Sequence, residues 1–162
     1  MKNSWKEVIK SIKNDLDRYN IGTVFGISLG TSLALYSANS SKNIRKVILS
    51  LPFHSLASVL WNSPVTRTIV KKAKKKRYSM KDFHKILNPF DPVNNINKLK
   101  GKDVRVFIAK GDSIIPYEYA KILIKKMYSI DLIVRIKEVA FLGHFLGGLQ
   151  SIFFPGWFTK KP

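Results

Sequence analysis

The chain has 162 residues, of which 45% are hydrophobic and 24% charged, a composition typical of one globular domain with a substantial core. It contains no cysteine, which excludes a disulfide framework, a thiolate zinc site and a cysteine nucleophile, and it has only three histidines. The net charge of +19 would ordinarily indicate nucleic acid or an anionic membrane surface as a partner, but we favour codon usage rich in A and T as the cause of the lysine surplus. We predict no metal site and no cofactor.

The amino-terminal segment resembles neither a signal peptide nor a membrane span. Its first twenty residues alternate charged and apolar positions and contain no continuous apolar core. The apolar positions instead recur at helical spacing over residues 4–19, which predicts an amphipathic helix. A cytoplasmic location is the expectation that follows.

The rest of the chain alternates strand patterns with helix patterns. The longest stretch between strands, residues 53–100, holds helical pieces and no strand pattern, which leaves room for a small helical cap within a single domain of residues 1–162. Such alternation with short loops predicts an α/β fold of about four parallel strands, with helices on both faces of the sheet. The predicted strands are 21–27, 46–51, 104–109 and 132–139, and the helices are 4–19, 29–39, 55–62, 65–76, 79–87, 117–128 and 145–154.

The turn Gly26-Ile27-Ser28-Leu29-Gly30 lies where the first strand gives way to a helix. The G-x-S-x-G pattern in this context is typical of a nucleophile elbow, in which a strained backbone lifts the serine hydroxyl clear of the chain. We expect a side chain at either glycine to collide with the neighbouring strand or helix. The alternative interpretation is a tight turn whose serine caps the helix.

Two further polar side chains follow later strands. Asp112 lies in the loop after the third strand and His144 in the loop after the fourth. Ligand sites of parallel sheets lie beyond the carboxyl ends of their strands, so Ser28, Asp112 and His144 are expected to converge there. Taken singly, Asp112 fits a turn or helix cap, and His144 fits a hydrogen-bonded core histidine.

The chain order serine, aspartate, histidine resembles that of the α/β-hydrolase superfamily, as do the segments Lys110-Gly111-Asp112 and Gly143-His144. The resemblance is to the carboxyl-terminal half of that fold and to enzymes of the serine esterase and lipase type. It implies that Ser28 attacks a carbonyl carbon, that His144 moves the proton and that Asp112 orients the imidazole. It also implies that the backbone N–H of Leu29 stabilises the oxyanion.

The same resemblance implies missing parts. The complete family sheet has about eight strands, and a second oxyanion donor comes from a loop after an early strand. With four strands, the strand at 21–27 becomes an edge of the sheet, open to a second chain or a second copy. We therefore expect a truncated protein of uncertain activity.

Other residues receive weaker interpretations. His54 and Phe53 follow the second strand and are candidates for lining a pocket, although a surface position suits His54 equally. The basic run at 71–77 lacks interleaved aromatic residues, so a solvated helix end is favoured over a nucleic-acid site. Trp157 and Phe158 suit a membrane interface, but a short apolar tail more often packs on the sheet.

The leading functional hypothesis is a hydrolase with a Ser-Asp-His triad acting on a small acyl substrate such as an ester. The second hypothesis is a catalytically impaired fragment or a non-enzymatic interaction module that binds a partner through its open sheet edge. The weakest hypothesis is a basic protein that binds nucleic acid or a membrane surface. We rank nucleic acid and membranes below the acyl substrate.

Overall fold

The structure is a computed structural model that describes residues 2–140, 143–153 and 156. Its centre is a four-stranded parallel sheet in the order β1-β2-β3-β4. A row of four valines, Val24, Val47, Val104 and Val134, crosses the sheet in register, as expected of a β-branched residue that favours strands. The strands are β1 (Thr23–Ile27), β2 (Lys46–Ser50), β3 (Asp103–Ala109) and β4 (Val134–Val139).

Seven α-helices lie around the sheet in the described part of the chain. Their bounds agree with the predicted helices to within about two residues, the usual uncertainty of a helix end. Phe154, the last residue of the predicted closing helix, lies outside the described residues, as do Trp157 and Phe158. The helices are α1 (Lys2–Arg18), α2 (Gly30–Ser40), α3 (Leu56–Asn62), α4 (Arg67–Lys75), α5 (Met80–Leu87), α6 (Tyr117–Tyr128) and α7 (His144–Phe153).

Helices cover both faces of the sheet, which confirms the predicted three-layer α/β architecture. On one face, α2 and α6 bury Leu35 and Leu123 against Leu49 and Val106. On the other face, α7 approaches through Gly148, and a 2.9 Å hydrogen bond from Ser50 Oγ to Ser151 Oγ joins β2 to this helix. The larger core therefore lies on the α2 and α6 side.

Residues 53–100 carry α3, α4 and α5 together with short 3-10 turns. They have their own hydrophobic cluster, which includes Phe53, Leu56, Phe83 and Leu87. The start of α5 is fixed by a capping box, because the Ser79 hydroxyl and the carboxylate three residues later each accept the other's backbone N–H. Describing the segment as a cap stays an interpretation.

Strand β1 lies at an edge of the sheet, as the sequence predicts, and pairs with β2 alone among the described strands. The N–H of Lys46 donates to the carbonyl of Gly22, and the N–H of Ser28 donates to the carbonyl of Ser50. Even-numbered positions of β1 therefore direct their backbone groups toward β2. The backbone groups of Thr23 and Ile27 consequently point toward the open edge.

None of the helices in the described ranges combines the length and the apolar character that crossing a lipid bilayer requires.

Candidate active site

Ser28 lies in the strained turn between β1 and α2. Its φ of 52° is in the left-handed region, where a residue with a Cβ is disfavoured. Three hydrogen bonds hold this conformation. The Ser28 N–H donates to the Ser50 carbonyl at 2.9 Å, and the Ser28 carbonyl accepts the Thr31 N–H at 2.9 Å and the Thr31 hydroxyl at 2.7 Å. The backbone therefore has the strain that a nucleophile elbow needs.

The two glycines of this turn differ in the space around them. A Cβ on Gly26 would lie 2.5 Å from the Gly30 carbonyl oxygen and 2.8 Å from the Ala34 Cβ, so the expected collision is confirmed there. A Cβ on Gly30 would meet nothing within 4 Å, so the expected collision is wrong at that position. The reason is that Gly26 faces the packed side of α2, whereas Gly30 begins the helix at its open end.

Leu29 occupies the amino-terminal cap of α2 with helical dihedral angles. Its side chain is 41% exposed, and its backbone N–H donates no hydrogen bond within the described ranges. The first N–H groups of a helix have no intrahelical acceptor. The N–H of Leu29 is thus available to an anion next to Ser28.

Asp112 follows β3 and is held rigidly by its own loop. Its Oδ1 accepts the N–H groups of Ile114 and Ile115, each at 2.8 Å. These two bonds fix the carboxylate and leave Oδ2 to a different partner. The loop sequence that resembles an acid loop therefore also orients its aspartate.

His144 begins α7 and contacts that remaining oxygen. Its Nδ1 lies 2.7 Å from Asp112 Oδ2, and both side chains are largely buried. With Nδ1–H donating to the carboxylate, the neutral imidazole has its lone pair on Nε2. The pair can therefore present a fixed basic nitrogen.

The three residues follow β1, β3 and β4 and so lie toward the carboxyl edge of the sheet. The structure brings Asp112 and His144 into contact. Within the described ranges, no hydrogen bond joins Ser28 Oγ to His144.

His54 and Phe53 both follow β2, but their environments differ. Phe53 is completely buried in the cluster under α3 and α5. His54 is half-buried, lies edge-on to the Tyr119 ring at 4.8 Å, and burial holds its pKa below the ordinary value. Its Nδ1 is buried without a hydrogen-bond partner in the described part of the chain. A pocket-lining role stays a prediction for both residues.

Asp91 is a buried polar residue that sequence reasoning missed. Its Oδ1 accepts the N–H of Leu56 and its Oδ2 accepts the Ser55 hydroxyl, so it ties the segment after α5 to the start of α3. Burial raises the pKa of the Asp91 carboxyl. The available signal was its place directly before Pro92, in a turn-rich segment where aspartate often bonds backbone groups.

No cluster of three or more potential metal ligands occurs among the residues with described positions.

No protein-family model matches the sequence, and neither does any curated protein. Solved structures do match it, and they include a peptidase, an esterase and a lipase. The chain has part of the α/β-hydrolase fold. The chain covers only part of each similar structure, as expected from its resemblance to the carboxyl-terminal half of that fold.

Three of these structures illustrate the likeness. An acylaminoacyl peptidase from Pyrococcus horikoshii superposes with a TM-score of 0.62 at 12% identity, over 81% of this chain and 20% of the peptidase. Acetyl xylan esterase 1 from Thermoanaerobacterium sp. superposes with a TM-score of 0.57 at 19% identity, over 85% of this chain and 45% of the esterase. A monoacylglycerol lipase from Paleococcus ferrophilus superposes with a TM-score of 0.57 at 18% identity, over 86% of this chain and 66% of the lipase. The chain thus spans less than two thirds of each.

Proposed function

We propose that the chain is a serine hydrolase that cleaves an ester or a similar acyl bond, with Ser28 as the nucleophile. The observation that carries the proposal is the 2.7 Å contact between Asp112 Oδ2 and His144 Nδ1. This pair follows β3 and β4, and Ser28, whose φ is 52°, follows β1 of the same parallel sheet. A buried, oriented acid and base pair at the sheet edge that also carries a strained serine is more typical of a functional site than of a structural turn. Hydrolase folds among the similar structures support the same reaction class.

The proposed proton path starts from the imidazole that Asp112 orients, and it requires Ser28 Oγ to come within hydrogen-bond distance of His144 Nε2 when substrate binds. Ser28 Oγ attacks the carbonyl carbon while His144 Nε2 takes the hydroxyl proton, and the acyl group is joined to the serine oxygen. The same nitrogen then protonates the leaving alcohol, and water releases the acid by the reverse proton transfer. Asp112 stays ionised and stabilises the imidazolium through Nδ1–H.

The developing oxyanion has one available donor in the elbow, the N–H of Leu29. Loss of one oxyanion donor costs roughly 10²- to 10³-fold in rate, so a site with Leu29 alone would be slow. We expect turnover below that of a two-donor hydrolase. Covalent labelling is consequently a better first test than turnover.

The test is reaction with a fluorophosphonate, which phosphonylates activated serines. The wild-type chain should be labelled at Ser28, and Ser28→Ala should abolish the labelling. Ser113→Ala is the matched control, because Ser113 is an exposed serine beside Asp112 that forms no hydrogen bond with His144 in the described part of the chain. Folded wild-type protein that stays unlabelled would overturn the proposal.

A second candidate function is an interaction module that binds a strand at the edge of β1. The outward backbone groups of Thr23 and Ile27 support it, because an extended partner needs such a row of donors and acceptors. The partner would be a second chain or a second copy of this one. Partner binding and catalysis are compatible, so each needs its own experiment.

Thr23→Pro tests this second candidate. Proline at this position removes an N–H that points away from β2, so the sheet is expected to keep its own pairing while edge binding is lost. Val24→Pro is the comparison, since it removes a bond to β2 and should destabilise the fold. If sedimentation shows the same monomeric species for wild type and Thr23→Pro, and no strand peptide binds either, the edge has no such function.

A further inference from the structure

We propose that the outer side of α4 and the turn before it form a docking surface for an anionic lipid membrane. The surface comprises residues 65–78, called the basic ridge below. Seven of its residues are basic and none is acidic: Arg67, Lys71, Lys72, Lys74, Lys75, Lys76 and Arg77. This inference is independent of whether Ser28 reacts.

The charges of the basic ridge are not neutralised by neighbouring carboxylates. All seven side chains are exposed, and none forms an ion pair within the described ranges. The acidic residue that follows in sequence, Asp82, is engaged by the Ser79 N–H and hydroxyl at the start of α5. The ridge therefore presents concentrated positive charge to an anionic partner.

Aliphatic side chains accompany this charge and indicate which anionic partner fits. Val65, in the turn before α4, is 68% exposed, and Ile69, within α4, is 52% exposed. Lys72 and Lys76 follow Ile69 by three and seven residues, so they share its side of the helix. A lipid surface accommodates both kinds of group, because aliphatic side chains enter the acyl boundary while lysines stay at the headgroups.

Nucleic acid fits the same surface less well. Single strands are bound on aromatic platforms, yet the Trp61 ring is covered by Lys74 Nζ at 5.4 Å and by the edge of Phe83 at 5.1 Å. Exposed Val65 and Ile69 offer nothing to phosphates. Tyr78, which is also exposed, suits the headgroup region of a membrane, where tyrosine is enriched.

Inward-facing residues anchor the basic ridge to the domain. Val70 is buried, and the Thr66 hydroxyl donates to the Leu60 carbonyl at 2.6 Å. The ridge is thus a preformed surface that can bind without refolding. Electrostatic attraction supplies roughly fivefold in affinity per basic residue near an anionic bilayer, and the aliphatic side chains add to it.

Co-sedimentation of the full chain with vesicles tests the proposal. We expect binding to phosphatidylcholine vesicles that contain phosphatidylserine, and none to phosphatidylcholine alone. The variant Lys71→Gln/Lys72→Gln/Lys75→Gln/Lys76→Gln should lose on the order of a hundredfold or more in affinity. Val65→Ser/Ile69→Ser, which keeps every charge, should lose roughly tenfold.

A matched control separates the ridge from the net charge of the chain. Lys98→Gln/Lys100→Gln/Lys125→Gln/Lys126→Gln removes the same charge at exposed positions elsewhere and should lose much less. An equal loss in both quadruple variants would overturn the proposal. A second result would also overturn it: vesicle binding that is unchanged in Val65→Ser/Ile69→Ser, together with tight binding of duplex DNA that requires the basic ridge. That result would assign the basic ridge to nucleic acid. All these positions are exposed, and circular dichroism checks that each variant is folded.

Discussion

Asp112 Oδ2 and His144 Nδ1 lie 2.7 Å apart, joining the loop after β3 to the first residue of α7. The other oxygen of the same carboxylate accepts two backbone N–H groups, from Ile114 and Ile115. One side chain therefore shapes a loop and orients an imidazole. These two tasks can be separated by choosing the substitution.

The first prediction separates them with Asp112→Asn. Its amide oxygen can still accept the two loop N–H groups, but its NH₂ group would face Nδ1 and favour the wrong imidazole tautomer. We expect fluorophosphonate labelling to slow by roughly 10³- to 10⁴-fold with little loss of stability. Asp131→Asn, at an exposed turn position with φ 58°, is the control that should label at the wild-type rate. Wild-type labelling by Asp112→Asn would remove Asp112 from the mechanism.

The second prediction compares the glycines of the elbow. Gly26→Ala forces a Cβ to within 2.5 Å of the Gly30 carbonyl oxygen, and we expect it to lower the free energy of unfolding by about 1–3 kcal/mol. Gly30→Ala meets open space in a helical conformation, so it should leave stability unchanged or raise it by up to about 1 kcal/mol. Urea denaturation of both variants measures the difference. Equal losses would contradict the packing described for α2.

The third prediction concerns backbone strain at Ser28. Glycine adopts a φ of 52° without penalty, so Ser28→Gly should be about 1 kcal/mol more stable than Ser28→Ala. Neither variant should be labelled. At Ser113, which has no left-handed φ, the order should reverse, with alanine the more stable substitution. Thermal or urea unfolding of the four variants provides the measurement.

The fourth prediction is a pH dependence of stability. The hydrogen bonds from Arg105, whose side chain is 2% exposed, hold the pKa of the Asp103 carboxyl below its ordinary value. A carboxylate with a lowered folded-state pKa stabilises the protein fully above its ordinary pKa and loses that contribution as the pH falls through the lowered value.

We therefore expect the urea midpoint to fall on acidification below about pH 4. Asp103→Asn should be less stable at neutral pH by about 1–3 kcal/mol and should flatten this dependence. Asp15→Asn, at an exposed position in α1, is the control and should keep the wild-type profile. A profile unchanged in Asp103→Asn would show that the ion pair contributes nothing.

Much of the fold could be predicted because the local patterns are strong. Strand-forming residues and helical spacing predict every strand and every α-helix of the described ranges, and they place Ser28, Asp112 and His144 directly after β1, β3 and β4. The contact between Asp112 and His144 was expected from that order, since parallel strands end at one edge. The catalytic roles themselves stay predictions.

Features that depend on three-dimensional neighbours could not be predicted. Periodicity does not reveal that Val70 is buried while the adjacent Ile69 is exposed, because that depends on how α4 packs. It also does not reveal that Arg105 is buried within β3 beside Asp103. The open space at Gly30 depends likewise on the end of α2 relative to the sheet.

The sheet order β1-β2-β3-β4 follows the order of synthesis. Each new strand can add to the edge left by the previous one as the chain leaves the ribosome. The Ser28 turn comes early in this sequence, whereas His144 arrives with α7, the last helix described. A nascent chain that has not yet released α7 is therefore expected to present an inert serine, and its reactivity toward a fluorophosphonate should begin only when His144 reaches Asp112.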